Sequence, residues 1–198
     1  MISAQPHLAK ARSHTNLFSE VVREKDIDDV KARNFHRTVA IITVSDRASR
    51  GEREDASGKA LEQHLGSHGF KIVHREIVPD EIREISSAIV RSVDEKGVAL
   101  VVTTGGTGVS PRDFTPEATL RVLDRVIPGM AEAMRASSLA RTPHAMISRS
   151  VAGVRGAALI VNLPGSPKGA VENLEAILPA VPHALEKIQG DPGECATG

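Results

Sequence analysis

Gly97-Val-Ala-Leu-Val-Val-Thr-Thr-Gly-Gly-Thr-Gly108 decides the architecture. An unbroken apolar and β-branched run is the pattern of a strand covered on both faces, and here it runs directly into a glycine-rich loop. Working outward, Thr38-Val-Ala-Ile-Ile-Thr-Val44 has the same character, and 71–78 and 157–161 read as two further strands. Helical stretches separate them. One runs over 55–68, with Leu61 and Leu65 at i, i+4. A second, capped by Asp80, runs to about 95 with Ile82, Ile85, Ile89 and Val93 in register. Others are predicted over 116–126 and 130–139, and a last one runs from Pro167 to about 188, bent by Pro179 and Pro182. Strand and helix thus alternate, which predicts an α/β fold: a three-layer α/β/α sandwich with a mostly parallel sheet and right-handed crossovers. Ligands of such sheets bind beyond the carboxyl ends of the strands.

Composition narrows the function. The 198 residues carry 25 Lys and Arg against 25 Asp and Glu, so the balance of charge argues against a dedicated nucleic-acid or anionic-membrane binder. Four Phe and no Trp or Tyr leave few platforms for base stacking or aromatic anchoring. Cys195 is the only cysteine, which excludes a disulfide framework and a cysteine-based zinc site. No apolar run reaches membrane-spanning or signal-peptide length, and the expectation is a cytoplasmic, reduced protein. Residues 1–36 differ from the rest, polar at the start with basic residues exceeding acidic ones, and read as an extension, partly disordered or helical around 17–30. The domain is expected over 37–189, with a flexible tail over 190–198.

Chemistry concentrates at the strand ends. Gly105, Gly106 and Gly108 allow backbone amides to converge into an anion nest, with Thr104, Thr107 and Ser110 adding hydroxyls. Phosphate is the natural occupant; a turn used only for chain reversal is the plainer alternative. The loop is not a Walker A motif, since Val109 follows Gly108, nor a dinucleotide fingerprint, since Pro111 stands where glycine is needed. Arg112-Asp113 follows. A carboxylate beside a phosphate nest calls for a cation between them, which makes Asp113 a candidate Mg²⁺ ligand and Arg112 a candidate phosphate clamp, a surface ion pair being the alternative. Thr115-Pro116-Glu117 reads as a helix start, with Thr115 as N-cap. Ser45 and Asp46 close the first strand and are placed for ligand contact. Asp55 caps the next helix and has a second oxygen to turn toward the site. Asn162-Leu-Pro-Gly-Ser-Pro-Lys168 closes the last predicted strand: Pro164 and Gly165 turn the chain, Ser166 caps a helix whose N-terminus favours anions, and Lys168 adds positive charge. His64 and His68, at i, i+4, lack a third ligand in the sequence and read as surface histidines.

Taken in order, Ser45-Asp46-Arg47, Glu54-Asp55-Ala-Ser57-Gly58, the run from Thr103 through Glu117 and Asn162-Leu-Pro-Gly-Ser-Pro167 resemble the molybdopterin-binding domain family of MogA/MoaB type, over about 37–189. The resemblance implies Mg²⁺-dependent adenylyl transfer from ATP to the terminal phosphate of molybdopterin. Asp55 and Asp113 match its two acidic positions for catalysis and metal placement, with Arg112 beside them. It assigns phosphate and pterin to Ser45, Asp46, Thr104, Gly105, Gly106, Thr107, Gly108, Asn162, Pro164, Gly165, Ser166 and Lys168. It further implies a homotrimer, sometimes paired into a hexamer, and a molybdenum insertase as partner. A catalytically weak paralogue acting as carrier or scaffold is the alternative reading.

Overall fold

In the computed structural model, residues 37–190 are described; the readings made for 1–36 and for the tail beyond 190 lie outside them. The first strand, β1 (Thr38–Val44), is buried over almost its whole length because both faces are covered. It is followed by a single helical turn α1 (Asp46–Ser49), then α2 (Ala56–Ser67), β2 (Lys71–Val78), α3 (Ile82–Val90) and β3 (Leu100–Thr104). Next come α4 (Thr115–Leu120), β4 (Arg125–Val126), α5 (Pro128–Leu139), β5 (Ala152–Arg155), β6 (Ala158–Leu163), α6 (Pro167–Ile177) and α7 (Val181–Ile188).

The six strands form one sheet in the order β2-β1-β3-β6-β5-β4. The first four are parallel, as the predicted fold class requires, while β5 and β4 add an antiparallel edge. Alternation along each strand divides the core. Val39, Ile41, Leu100 and Val102 meet Leu61 and Leu65 of α2, Met134 of α5, Leu174 of α6 and Leu185 of α7. Ala40, Ile42, Val101 and Ile160 meet Ile85 and Ile89 of α3 and Ala118 of α4. A strand sandwiched in this way needs apolar residues at every position, so β1 and β3 read as continuous runs.

Several boundaries differ from the sequence reading. The helix expected over 116–126 stops at Leu120, and Arg125–Val126 pairs with β5 instead. Its hairpin partner β5 is absent from the sequence reading because four residues containing Gly153 carry too little pattern. A Cβ at Gly153 would lie 2.5 Å from the Arg125 carbonyl, so glycine lets β4 approach. The helix expected to about 95 ends at Val90 and continues as a π-helical turn, Arg91–Glu95. The last helix is broken where its prolines stand, by a 3₁₀ turn at Leu178–Ala180.

Candidate active site

β1 has β2 on one side and β3 on the other, so the chain reverses its direction of progress across the sheet at β1/β3. A cleft of about 380 Å³ opens there, lined among others by Ser45, Asp55, Asp80, Gly105, Gly106 and Ser166. Its floor is backbone packed on backbone. Gly105 has φ +104°, and a Cβ there would lie 2.2 Å from the Val44 carbonyl oxygen. Its amide donates to Leu163 O at 3.1 Å, which ties β3 to the turn after β6. At Gly106, φ is +63° and a Cβ would meet Thr115 Oγ1 at 2.5 Å and Asp80 Oδ1 at 3.1 Å. Only glycine permits this approach.

The loop's hydroxyls are used differently from expectation. Thr104 is wholly buried and gives its proton to Pro164 O (2.7 Å), joining the two loops rather than offering a donor to an anion. Thr115 is not the N-cap of α4; Phe114 holds that position, and Thr115 Oγ1 donates to Gly105 O at 2.7 Å. Thr107 and Gly108 face away from the first cleft into a second hollow of about 300 Å³, where Arg135, Arg141 and Ser148 also lie. Ser166 lines both hollows, with Gly165 on the first and Pro164 on the second. Ser166 also caps α6, accepting from Gly169 N at 3.2 Å, so that helix begins at the shared wall.

Three expected binding residues line neither hollow: Asp46, whose carboxylate is paired with Arg112, Asn162 and Lys168. Asn162 is fully buried; its Nδ2 donates to Thr103 Oγ1 and Thr119 Oγ1, both at 2.9 Å, and Oδ1 accepts from Val151 N at 3.4 Å. It stitches β6 to β3 and α4 and lines neither hollow. Lys168 projects into solvent with its ammonium 3.9 Å from Glu172, and it too lines neither.

Asp55 caps α2 as expected, with Oδ1 accepting from Gly58 N (2.8 Å) and Thr43 Oγ1 (3.0 Å). Its second oxygen is not turned free to the site: Oδ2 accepts from Arg75 Nη2 at 2.8 Å, and Arg75 also holds Glu62. Ser45 caps α1, accepting from Ala48 N at 3.2 Å, which leaves its own proton to donate. Arg112 makes a bidentate pair with Asp46 (3.0 and 2.8 Å) and reaches Glu81 at 2.9 Å. Those bonds use three of its five N–H donors. The pair holds the Asp46 carboxyl below its ordinary range, chiefly through the Arg112 hydrogen bonds.

Asp80 is the residue that sequence reasoning misplaces. Its local pattern is that of the cap of α3, but Glu81 occupies that position and makes no side-chain cap bond. Instead Asp80 Oδ2 accepts from Asp46 N at 2.7 Å while its other oxygen lies against Gly106 on the cleft wall. Burial pushes its carboxyl up, and the charges of Asp46 and Asp113 push the same way. The available signal was position: Pro79-Asp80 ends a strand adjacent to β1, where ligands of this architecture bind. Asp113 sits on the glycine loop, its Oδ2 accepting from Ser110 N at 2.8 Å.

Among the described residues, no group of three or more His, Cys, Asp or Glu could hold a metal unaided. Mg²⁺ arriving with phosphates needs only one or two carboxylates. Oδ1 of Asp80 and Oδ1 of Asp113 accept no hydrogen bond from the described residues, and the two charges repel. Each carboxylate thus keeps one oxygen of the kind that a phosphate-borne Mg²⁺ takes as ligand.

The family described as "Probable molybdopterin binding domain" matches residues 40–183. The chain belongs to this family. Similar molybdopterin-binding-domain proteins include the molybdopterin adenylyltransferase of Helicobacter pylori strain J99, 45% identical over 155 residues, which are 77% of this chain and 88% of the relative. The molybdopterin adenylyltransferase of Escherichia coli K12 is 41% identical over 167 residues, 77% of this chain and 85% of the relative. Among solved structures, the molybdopterin biosynthesis enzyme MoaB of Thermus thermophilus superposes with a TM-score of 0.74 at 51% identity, covering 79% of this chain and 99% of that one.

Proposed function

We propose that the protein is a molybdopterin adenylyltransferase: an oxygen of the terminal phosphate of molybdopterin attacks the α-phosphorus of ATP, the bond to the bridging oxygen of the β-phosphate breaks, and pyrophosphate leaves. The observation that carries this reading is two hollows meeting at one wall, Gly105 to Gly108 on one loop and Pro164 to Ser166 on the other. A transfer between two phosphate-bearing substrates needs two adjoining sites and a shared phosphate cradle, with little covalent participation by the protein.

In this reading the amides of the glycine loop after Gly105, whose own amide is taken by Leu163 O, and the start of α6 bind phosphate oxygens, and Ser45 and the two uncommitted N–H groups of Arg112 add donors. Asp80 and Asp113 would hold Mg²⁺, which offsets phosphate charge when bound. Asp55, fixed by Arg75, shapes the wall of the first hollow. The assembly expected from the resemblance, a trimer, has apolar surface to use in Val109, Met146 and Ile147, which are 62%, 70% and 52% exposed. Among the described residues no helix is long and apolar enough to cross a membrane. We place the protein in the cytoplasm, handing its product to a molybdenum insertase.

A single-turnover reaction with purified protein, molybdopterin, ATP and Mg²⁺ tests the proposal. Adenylyl-molybdopterin and pyrophosphate should appear together in equal amounts and be lost on adding a chelator. Bound molybdopterin with neither product would make the protein a carrier.

A further inference from the structure

The loop that bears Arg112 and Asp113 is held from outside by a residue of a distant segment. Arg149 lies between the 3₁₀ turn Pro143–Ile147 and β5. Its backbone amide donates to Thr107 O at 2.9 Å. Its guanidinium donates to Gly108 O through Nε at 2.6 Å, to Asp113 O through Nη2 at 2.5 Å, and to Glu117 through Nη1. One planar group therefore bonds both feet of the excursion 108–113 and the helix that follows it. The ties inside this excursion are few: Asp113 N to Ser110 O at 2.9 Å and Ser110 N to Asp113 Oδ2 at 2.8 Å. Thr115 closes the base of the loop, through its amide to Gly106 O at 3.0 Å and its hydroxyl to Gly105 O at 2.7 Å, and Arg149 is the group that bonds the carbonyls of Gly108 and Asp113 themselves.

We propose that Arg149 is a positioning residue for adenylyl transfer: it sets the spacing between the anion nest and the Asp113 carboxylate by bridging the carbonyls of Gly108 and Asp113, with Glu117 aligning the guanidinium. The inference rests on the adenylyltransferase reading above. A rigid fork suits this task, and an ammonium does not. Glu117 Oε2 is buried and accepts no hydrogen bond, and the Arg149 hydrogen bond is the chief influence that holds this carboxyl below its ordinary range.

The test uses full-length Arg149→Ala and Arg149→Lys. Thermal unfolding, amide exchange over 108–113, and kcat and KM for ATP are measured, with and without added guanidinium chloride and with sodium chloride as the ionic control. Arg149→Ala should lower kcat by about 100-fold, the scale of a misplaced group, with a much smaller change in KM. Guanidinium should restore part of kcat while sodium chloride does not. Arg149→Lys keeps the charge opposite Glu117, so it should unfold close to the wild type yet remain well below it in kcat. Wild-type kcat in a folded alanine variant overturns the proposal, as does a loss that follows the unfolded fraction and ignores guanidinium. Should the wild-type protein form no adenylyl-molybdopterin, the functional reading fails, and exchange decides Arg149: about tenfold faster exchange of the 108–113 amides in the alanine variant supports the staple, and unchanged exchange overturns it.

Discussion

Asp46 and Asp80 each accept a hydrogen bond from the other's backbone amide, at 2.7 Å to Asp80 Oδ2 and 3.0 Å to Asp46 Oδ1. The reciprocal pair locks the carboxyl ends of β1 and β2 together and brings two negative charges to one side of the cleft. The two carboxyls are driven apart in acidity. Arg112 lowers Asp46, while burial raises Asp80. One is a stabilised anion; the other is an anion kept at a cost, which fits a group meant to meet a cation.

Asp80→Asn should therefore separate stability from activity. A carboxyl whose folded pKa is raised favours the fold below its unfolded pKa and loses that contribution as pH rises through the folded one. At pH 7 the variant is relieved of this penalty and should melt at or above the wild-type temperature, because the amide oxygen still accepts from Asp46 N. Turnover should fall about 100-fold or more. Calorimetry and the single-turnover assay on the same sample give the comparison; a less stable variant with full turnover would contradict it.

Asp46 supplies the opposite pH response. With its folded pKa lowered, the Asp46–Arg112 pair contributes fully above the unfolded value near 4 and is lost as pH falls through the folded one. Arg112→Met should flatten the acid limb of a melting-temperature profile below about pH 4. The loss at pH 7 should be small, since the arginine is half exposed and solvent screens the pair.

Gly105→Ala places a Cβ 2.2 Å from the Val44 carbonyl at φ +104°. Strain and clash together should destabilise by roughly 2–4 kcal/mol. Gly129→Ala is the contrast: nothing lies within 4 Å and the residue is inside α5, so stability should rise by about 0.5–1 kcal/mol. Urea titrations of the two variants report both signs.

Asn162→Ala tests a structural role against substrate binding. It leaves the hydroxyls of Thr103 and Thr119 without their shared partner inside the core. A loss of about 2–3 kcal/mol is expected, with KM for both substrates little changed in the folded protein. A raised KM at unchanged stability would return Asn162 to the binding site.

For Asp55, alanine and asparagine should differ. Asp55→Ala removes the cap to Gly58 N, the Thr43 bond and the Arg75 pair together, and should destabilise by about 2–4 kcal/mol. Asp55→Asn keeps an acceptor for the cap and should retain most of the stability, with a smaller loss of turnover than Asp80→Asn. Turnover in Asp55→Asn as low as in Asp80→Asn would give Asp55 a direct part in the chemistry.

Periodicity makes the parallel half of the fold legible. β1 and β3 are buried on both faces, so every position has to be apolar and the runs stand out, whereas β4 is two exposed residues and β5 four. The glycine loop is legible because close backbone approach admits no other residue. Asp80 misleads for a local reason: an aspartate after Pro79 and before a helical run has the form of an N-cap. The cap bond competes with the partner offered by Asp46, which is 34 residues away in the chain and invisible to any local pattern.

The sequence by itself determined the sandwich and a close-packed glycine loop at a strand end with carboxylates nearby, because backbone sterics and burial act over a few residues and leave their mark there. Tertiary structure alone decided which side chains remain free to act. Asp55 met Arg75 from β2, Asn162 met two threonines in the core, Arg112 met Asp46, and Arg149 came from beside β5 to hold the loop. Hydrogen-bond donors are spent on whichever acceptor the fold brings within about 3 Å, and that competition is settled only when the sheet has assembled.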